Sequence, residues 1–342
     1  SKEEYQLTLE EIKKIKKAEL HVHLDGSMRL QTIKELAQEQ GLELTEEDLK
    51  KCIVPEDCKD LNQYLEAFEI PVKVLQTKEA LTRAAKELAE DLKADGVVLA
   101  EIRFAPGKHT EKGLTQDEVV AAVLEGLRQV DGIHTELILC CMRGPKEDKK
   151  NEEINLETVD VAKRFLEKGV CAIDLAGAEK QFPVEDHKNL FEKAKQYGVP
   201  YTIHAGEAAG VESIEKAIRL GAKRIGHGTA AIQSEELMRK LAEEGIPLEC
   251  CPTSNAQTKS IERYENHPIN VFLQKGINAT LNTDNRTVSG IKLSEEFKKA
   301  QDQFGLTDEQ LVILIKNSID ASFYNQRLQL QNRNNYKKEE IR

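Results

Sequence analysis

Residues 18–26 read Ala18-Glu19-Leu20-His21-Val22-His23-Leu24-Asp25-Gly26, an apolar stretch ending in two histidines, a carboxylate and a glycine. Side chains on a strand alternate faces with period two, so His21 and His23 point the same way. Two imidazoles on one face, followed by an acid and a turn, can hold a divalent metal at a strand's end. An isolated H-x-H can equally be a satisfied histidine pair in a core or on a surface. The rest of the chain decides between the two, and with them the fold.

Seven further apolar stretches follow, at 97–104, 136–142, 171–175, 201–204, 224–227, 247–251 and 279–283, after the first at 18–24. Between them run amphipathic segments such as 81–94, 116–129, 157–166, 211–220 and 234–244. Glycines near their ends, among them Gly96, Gly132, Gly198, Gly221, Gly245 and Gly276, supply helix stops. Strand alternating with helix eight times predicts an α/β fold of the TIM type, a closed (β/α)8 barrel. The roughly seventy residues between the first two strands are far too many for an ordinary βα loop. They carry several helical patterns, including 60–76 with Leu61, Tyr64, Leu65 and Phe68 at helical spacing. An insertion after a barrel strand's C-terminal end lies over the mouth, so this one is expected to act as a lid. The domain reading is therefore a single catalytic domain over 1–325 with the lid at about 28–95, and a polar tail at 326–342, as a terminal helix or frayed.

Composition narrows the function. At 342 residues and 39% apolar the chain can build one large core, and its net charge of −11 argues against a nucleic-acid groove or an anionic membrane as partner. No window approaches eighteen apolar residues, and the segment 1–17 is charged, without a leader's apolar stretch. Seven cysteines without a C-x-x-C, several inside strand-like runs, are expected to be buried reduced thiols of a cytoplasmic protein. No obligate protein partner is evident.

The chemistry-bearing residues collect at strand ends. The fourth strand ends in Asp174-Leu175-Ala176-Gly177, the fifth in His204-Ala205-Gly206-Glu207, the sixth in Gly226-His227-Gly228 and the eighth in Asn282-Thr283-Asp284-Asn285. Four of eight histidines occupy such positions; His109, His134, His187 and His267 read as surface residues. Three imidazoles and a carboxylate, His21, His23, His204 and Asp284, suit zinc, although catalytic zinc more often has three protein ligands. Such a metal generates hydroxide near neutral pH, which His227 and Asp284 are placed to orient and deprotonate. Glu207, three residues after a ligand, is placed to give a proton to the substrate.

Together with Glu101-Ile-Arg-Phe-Ala-Pro and Leu139-Cys-Cys-Met-Arg, these motifs resemble, in order, the adenosine deaminase family of the amidohydrolase superfamily. The resemblance runs from about Lys13 to Ala321. It implies one zinc ion per chain and hydrolytic loss of ammonia from C6 of adenosine, and of 2′-deoxyadenosine, a purine-salvage reaction on a small nucleoside. Position by position, His21, His23, His204 and Asp284 match the zinc ligands. Glu207 matches the acid that protonates purine N1, and His227 the residue that activates the metal's hydroxide. Gly177 matches the N–H donor to purine N3, Asp25 the carboxylate on the ribose 5′-hydroxyl, and Leu61, Tyr64 and Phe68 the apolar lid side chains. Asn285 departs, since many members carry a second aspartate there facing purine N7; the asparagine amide is expected to donate to N7 instead.

Three other readings compete. Deaminases of free adenine or of an N6-substituted purine are related, but free-adenine members tend to carry glutamate where this chain has Asp25. Two-metal hydrolases of the superfamily often use a carboxylated lysine, and no lysine ends the fourth or fifth strand. A non-catalytic adenosine-binding protein would first lose its ligands and acid, and all are present. The cytidine-type zinc deaminases carry a P-C-x-x-C signature, and it is absent.

Overall fold

The computed structural model describes residues 6–341, leaving the first five residues of the charged N-terminal segment and the last of the tail outside the description. The chain is α/β, with eight parallel strands among the described residues: β1 (Lys17–His23), β2 (Val97–Phe104), β3 (His134–Met142), β4 (Val170–Ala176), β5 (Thr202–Ala205), β6 (Arg224–His227), β7 (Leu248–Cys250) and β8 (Ala279–Leu281). They form two four-stranded sheets ordered β1-β2-β3-β4 and β5-β6-β7-β8. Single bridges reach between the sheets, Ile173 to Tyr201 and Val22 to Asp284. All the strands stand where apolar runs predict them. β8 is shorter than expected because the chain leaves the sheet after Leu281 and turns at Asp284, whose φ is 68°.

Almost every strand residue is buried on both faces, as parallel strands covered by helices require. Helices such as Lys78–Ala94 and Gln116–Arg128 lay one apolar face on the sheets; the first buries Leu81, Ala85, Leu88 and Leu92 at helical spacing. Thr77 and Thr115 cap these two helices, each accepting from a backbone N–H three residues on. All seven cysteines are buried free thiols. Among the described residues no helix is long and apolar enough to cross a membrane.

The stretch between β1 and β2 is helical, as expected, but 60–76 is not one helix. It splits into Leu61–Leu65, a tight turn at Glu66–Phe68 and Glu69–Val74. Pro71 is the cause, since its ring clashes with the carbonyl four residues back, at Ala67, in a continuous helix. The terminal segment is a helix, Phe323–Ile341, with largely exposed side chains.

Candidate active site

Two backbone hydrogen bonds assemble the centre of the site. His23 N donates to Asp284 O at 2.8 Å, and Asp284 N donates to His21 O at 2.9 Å. They tie β1 to the turn after β8 and bring both histidines against the Asp284 carboxylate. That turn holds a non-glycine residue at φ 68°, as does His227 at the end of β6, and left-handed backbone of this kind collects at functional sites. His21, His23, His204 and Asp284 each offer one ligand atom, all within 4.8 Å of one another.

The donor chemistry of these four fits a cation. Glu249 is a carboxylate, since Arg103 and Arg224 overcome the burial that raises its pKa and hold it well below the ordinary range. It can only accept, so His21 Nδ1, 2.8 Å away, must donate. The ring's Nε2 is buried, has no hydrogen-bond partner, and lies 3.1 Å from Asp284 Oδ1. Against burial and Arg103, the Asp284 and Glu249 carboxylates raise the ring's pKa, so the pair favours a positive charge there. Two electron-rich atoms pressed together in a dry site repel unless a positive charge lies between them. His204 is held the same way, with Nδ1 2.9 Å from Asp174 Oδ2. One guanidinium joins the two supports, Arg103 reaching Asp174 at 2.9 Å and Glu249 at 3.0 Å. Carboxylates behind imidazoles, themselves pinned, are how ligand orientation is set. Sequence reasoning missed Glu249 and Arg103. Their signal was present, a charged residue in the middle of an apolar strand, because such a residue is buried only when paired.

Glu207 and His227 face each other across the site, with Oε2 and Nε2 3.3 Å apart. Burial, then the Asp284 and Glu179 carboxylates, push the Glu207 pKa well above the usual carboxyl range, so it carries a proton. Burial holds His227 well below the usual imidazole range, so its ring is neutral. Glu179 is a third residue that sequence reasoning missed. From the loop after β4 its carboxylate accepts from three consecutive backbone N–H groups, Gly206 at 2.8 Å, Glu207 at 3.0 Å and Ala208 at 2.8 Å, and from the Ser213 hydroxyl. It closes the turn that presents Glu207. Glu179→Ala is expected to lower unfolding stability by about 2–4 kcal/mol, the scale of orphaning several buried donors. A denaturant melt reads this, and a midpoint equal to wild type would show that the cradle is dispensable.

All the predicted site residues but His21 line one cavity, and His21 is fully buried beside it. Leu61, Tyr64 and Phe68 form its apolar wall in a small cluster of their own with Val288 and Cys58. Gly177 also lines the cavity, at φ 113°, a conformation only glycine adopts without strain. Asn285 presses on the backbone of Gly26, where a Cβ would stand 1.9 Å from its Oδ1. Its Nδ2 donates one hydrogen to the Tyr64 hydroxyl at 3.0 Å, and that hydroxyl also bonds Ser289 at 2.6 Å. Asp25 is half-buried at the same cavity.

Three of the four histidines expected at the surface are buried: His109, His187 and His267. Each is inside because it serves backbone or side-chain groups there. His109 Nδ1 bonds Leu75 O, His187 Nε2 accepts from Gly144 N, and His267 Nδ1 accepts from Ile269 N. Only His134 is exposed as expected.

The sequence profile of the adenosine deaminase family matches residues 16–335. An adenosine deaminase of Haemophilus ducreyi is 45% identical over 316 residues, 89% of this chain and 91% of that protein. One of Clostridium acetobutylicum is 42% identical over 322 residues, covering 92% and 95%. Among solved structures, an adenine deaminase from Arthrobacter aurescens is similar with a TM-score of 0.81 at 28% identity, covering 90% of this chain and 93% of that one. An N6-methyl-AMP deaminase from Arabidopsis thaliana, in its apo form, is similar with a TM-score of 0.81 at 28% identity, covering 94% and 97%.

Proposed function

The chain belongs to the adenosine deaminase family, and on that premise we propose how its cavity converts adenosine, and 2′-deoxyadenosine, to the inosine nucleoside and ammonia. The observation that carries the reading is a buried, protonated carboxyl facing a neutral imidazole beside four convergent metal-competent donors. His21, His23, His204 and Asp284 would hold one zinc ion, whose nitrogen and oxygen preferences they meet. When bound, zinc supplies Lewis acidity and brings the pKa of water toward about 7.

The protein's own groups do the rest. Glu207 gives its proton to purine N1, which withdraws electrons from the ring and opens C6 to attack by water. His227 and Asp284 orient that water. Asp284 accepts one of its protons, which passes to the C6 amine as the C6–N bond breaks and ammonia leaves. The second, released as the C6 carbonyl forms, restores Glu207. The Gly177 N–H donates to N3, and Asn285 gives N7 the amide hydrogen that Tyr64 does not take. Asp25 accepts from the ribose 5′-hydroxyl at the mouth. Leu61, Tyr64 and Phe68 cover the base as part of a lid spanning about 28–95. The single bridges between the two sheets support one closed (β/α)8 barrel, with 1–325 as a single catalytic domain and 326–342 outside the chemistry.

Loss of absorbance at the adenosine band tests substrate and metal together. Adenosine and 2′-deoxyadenosine should be consumed, and a chelator should stop both until zinc is returned. A site built around a charge-assisted hydrogen bond discriminates against substrates lacking the partner, so 5′-deoxyadenosine should lose about tenfold or more in kcat/KM. AMP should react poorly, because its phosphate meets the Asp25 carboxylate. Equal efficiency on free adenine and adenosine would overturn the nucleoside reading.

A further inference from the structure

Behind His227, away from the cavity, runs a chain of buried hydrogen bonds that the chemistry above does not use. It begins at a donor with no alternative. The backbone N–H of Ile269 lies 3.0 Å from His267 Nδ1, and a backbone N–H can only donate. His267 Nδ1 therefore accepts, and a neutral imidazole with a bare Nδ1 has its hydrogen on Nε2. The ring is neutral, since burial pulls its pKa down to about 3. Its Nε2–H points to Asn255, 3.3 Å away, so the Asn255 atom there must be the amide oxygen. That settles which way the amide faces. Its NH2 is then the group 3.0 Å from His227 Nδ1, and an amide nitrogen only donates. His227 Nδ1 accepts. In the neutral ring the hydrogen is on Nε2, the nitrogen turned toward Glu207 at 3.3 Å and Asp284 at 3.9 Å.

We propose that Asn255 and His267 are positioning residues that lock His227 as its Nε2–H tautomer, so that it meets the reacting oxygen as a hydrogen-bond donor and not as a base. The proposal rests on the reading above that His227 faces the attacking water, and it changes what His227 does there. To take a proton on Nε2, the neutral ring would have to carry its hydrogen on Nδ1, against the Asn255 N–H. Turning the amide would only move the conflict to His267 Nε2–H, and from there to the Ile269 N–H, which cannot turn. Asn255, His267 and His227 are all buried, so no solvent stands ready to relieve such a conflict. Both residues lie in the segment after β7, where Asn255 sits on the short helix Pro252–Gln257. Their place behind the site comes from the fold, not from nearness to His227 in the chain.

The test is nitrogen NMR of the imidazoles in the full-length, zinc-loaded protein labelled with 15N-histidine, with His227→Asn and His267→Phe used to assign the signals. His227 and His267 should each show an unprotonated Nδ1 and a protonated Nε2. A wild-type His227 protonated on Nδ1 overturns the lock. Asn255→Asp places an acceptor against both rings, so the His227 signals should invert, with kcat down at least tenfold and KM within about threefold. Inverted signals with unchanged kcat would overturn the donor role. Should Asn255→Asp not fold, the position of His267 gives the same information. His267→Phe frees the amide and should lower kcat, while His267→Gln, which can accept from Ile269 and donate to Asn255, should restore most of it. Equal kcat in those two variants counts against the relay. A protein with the expected tautomer but no deamination of adenosine keeps the lock and loses the function; an active protein with Nδ1–H does the reverse.

Discussion

His204→Ala is expected to strip the protein of its metal and of its activity while leaving it folded. The ring offers Nε2 to the centre because Asp174 holds Nδ1 from behind at 2.9 Å, so truncation removes a pre-oriented donor. Losing a carboxylate behind a metal-bound histidine commonly weakens binding by about 10–100-fold, and losing the ligand itself must cost more. Metal participation is worth several kcal/mol, and each 1.36 kcal/mol is tenfold in rate, so turnover should fall by on the order of 10³-fold or more. The fold should survive because the large apolar cluster around the strands is continuous without the metal. Asp174 also keeps Arg103 as a partner at 2.9 Å and is not left as an isolated buried charge. Dialysed protein would be assayed for metal content, circular-dichroism melting and deamination. A variant that keeps one equivalent of metal and wild-type turnover would remove His204 from the ligand set. Asp174→Asn should give a milder loss of metal affinity, within the range for the supporting carboxylate.

The strands and the four side chains that converge as candidate metal donors could be read from the chain because each announces itself locally. An H-x-H at the end of an apolar run puts two rings on one face by the geometry of a strand alone. Asp284 and Glu207 end or follow apolar runs in the same way. What could not be read is what depends on partners far away in sequence. Glu249 is an acid in an apolar strand, but its role appears only when β1 brings His21 to it across 228 positions. The same holds for Glu179, which acts on a turn 27–29 residues later. His109, His187 and His267 read as surface residues because histidine is amphipathic, and only the fold supplies the carbonyl, N–H and amide groups that make burial tolerable. In 60–76 the apolar spacing was helical throughout, and the backbone consequence of Pro71 outweighed it. Periodicity reports which face is apolar and says little about whether the helix is continuous.

Glu207→Gln separates proton delivery from shape. Because burial and two neighbouring carboxylates keep Glu207 protonated, the wild-type side chain is already neutral, and a neutral amide of the same size replaces it without a change of charge. Its backbone N–H stays on Glu179, so the turn is undisturbed. Stability should therefore move little, unlike the usual result of removing a buried carboxylate. Purine affinity should stay within about tenfold, since an amide still donates a hydrogen bond to N1. What the amide cannot do is release that hydrogen. A positioned acid commonly contributes about 10²–10⁴-fold, so kcat should fall by that range. The pH profile gives an independent check. The raised pKa means that the wild type retains the acid form above the ordinary carboxyl range and loses activity on the alkaline side, as pH rises through that value. The variant has no proton to lose at this position, so its residual rate should lack that alkaline limb. Wild-type turnover in Glu207→Gln would reduce Glu207 to filling space, and a persistent alkaline limb would assign it to another group.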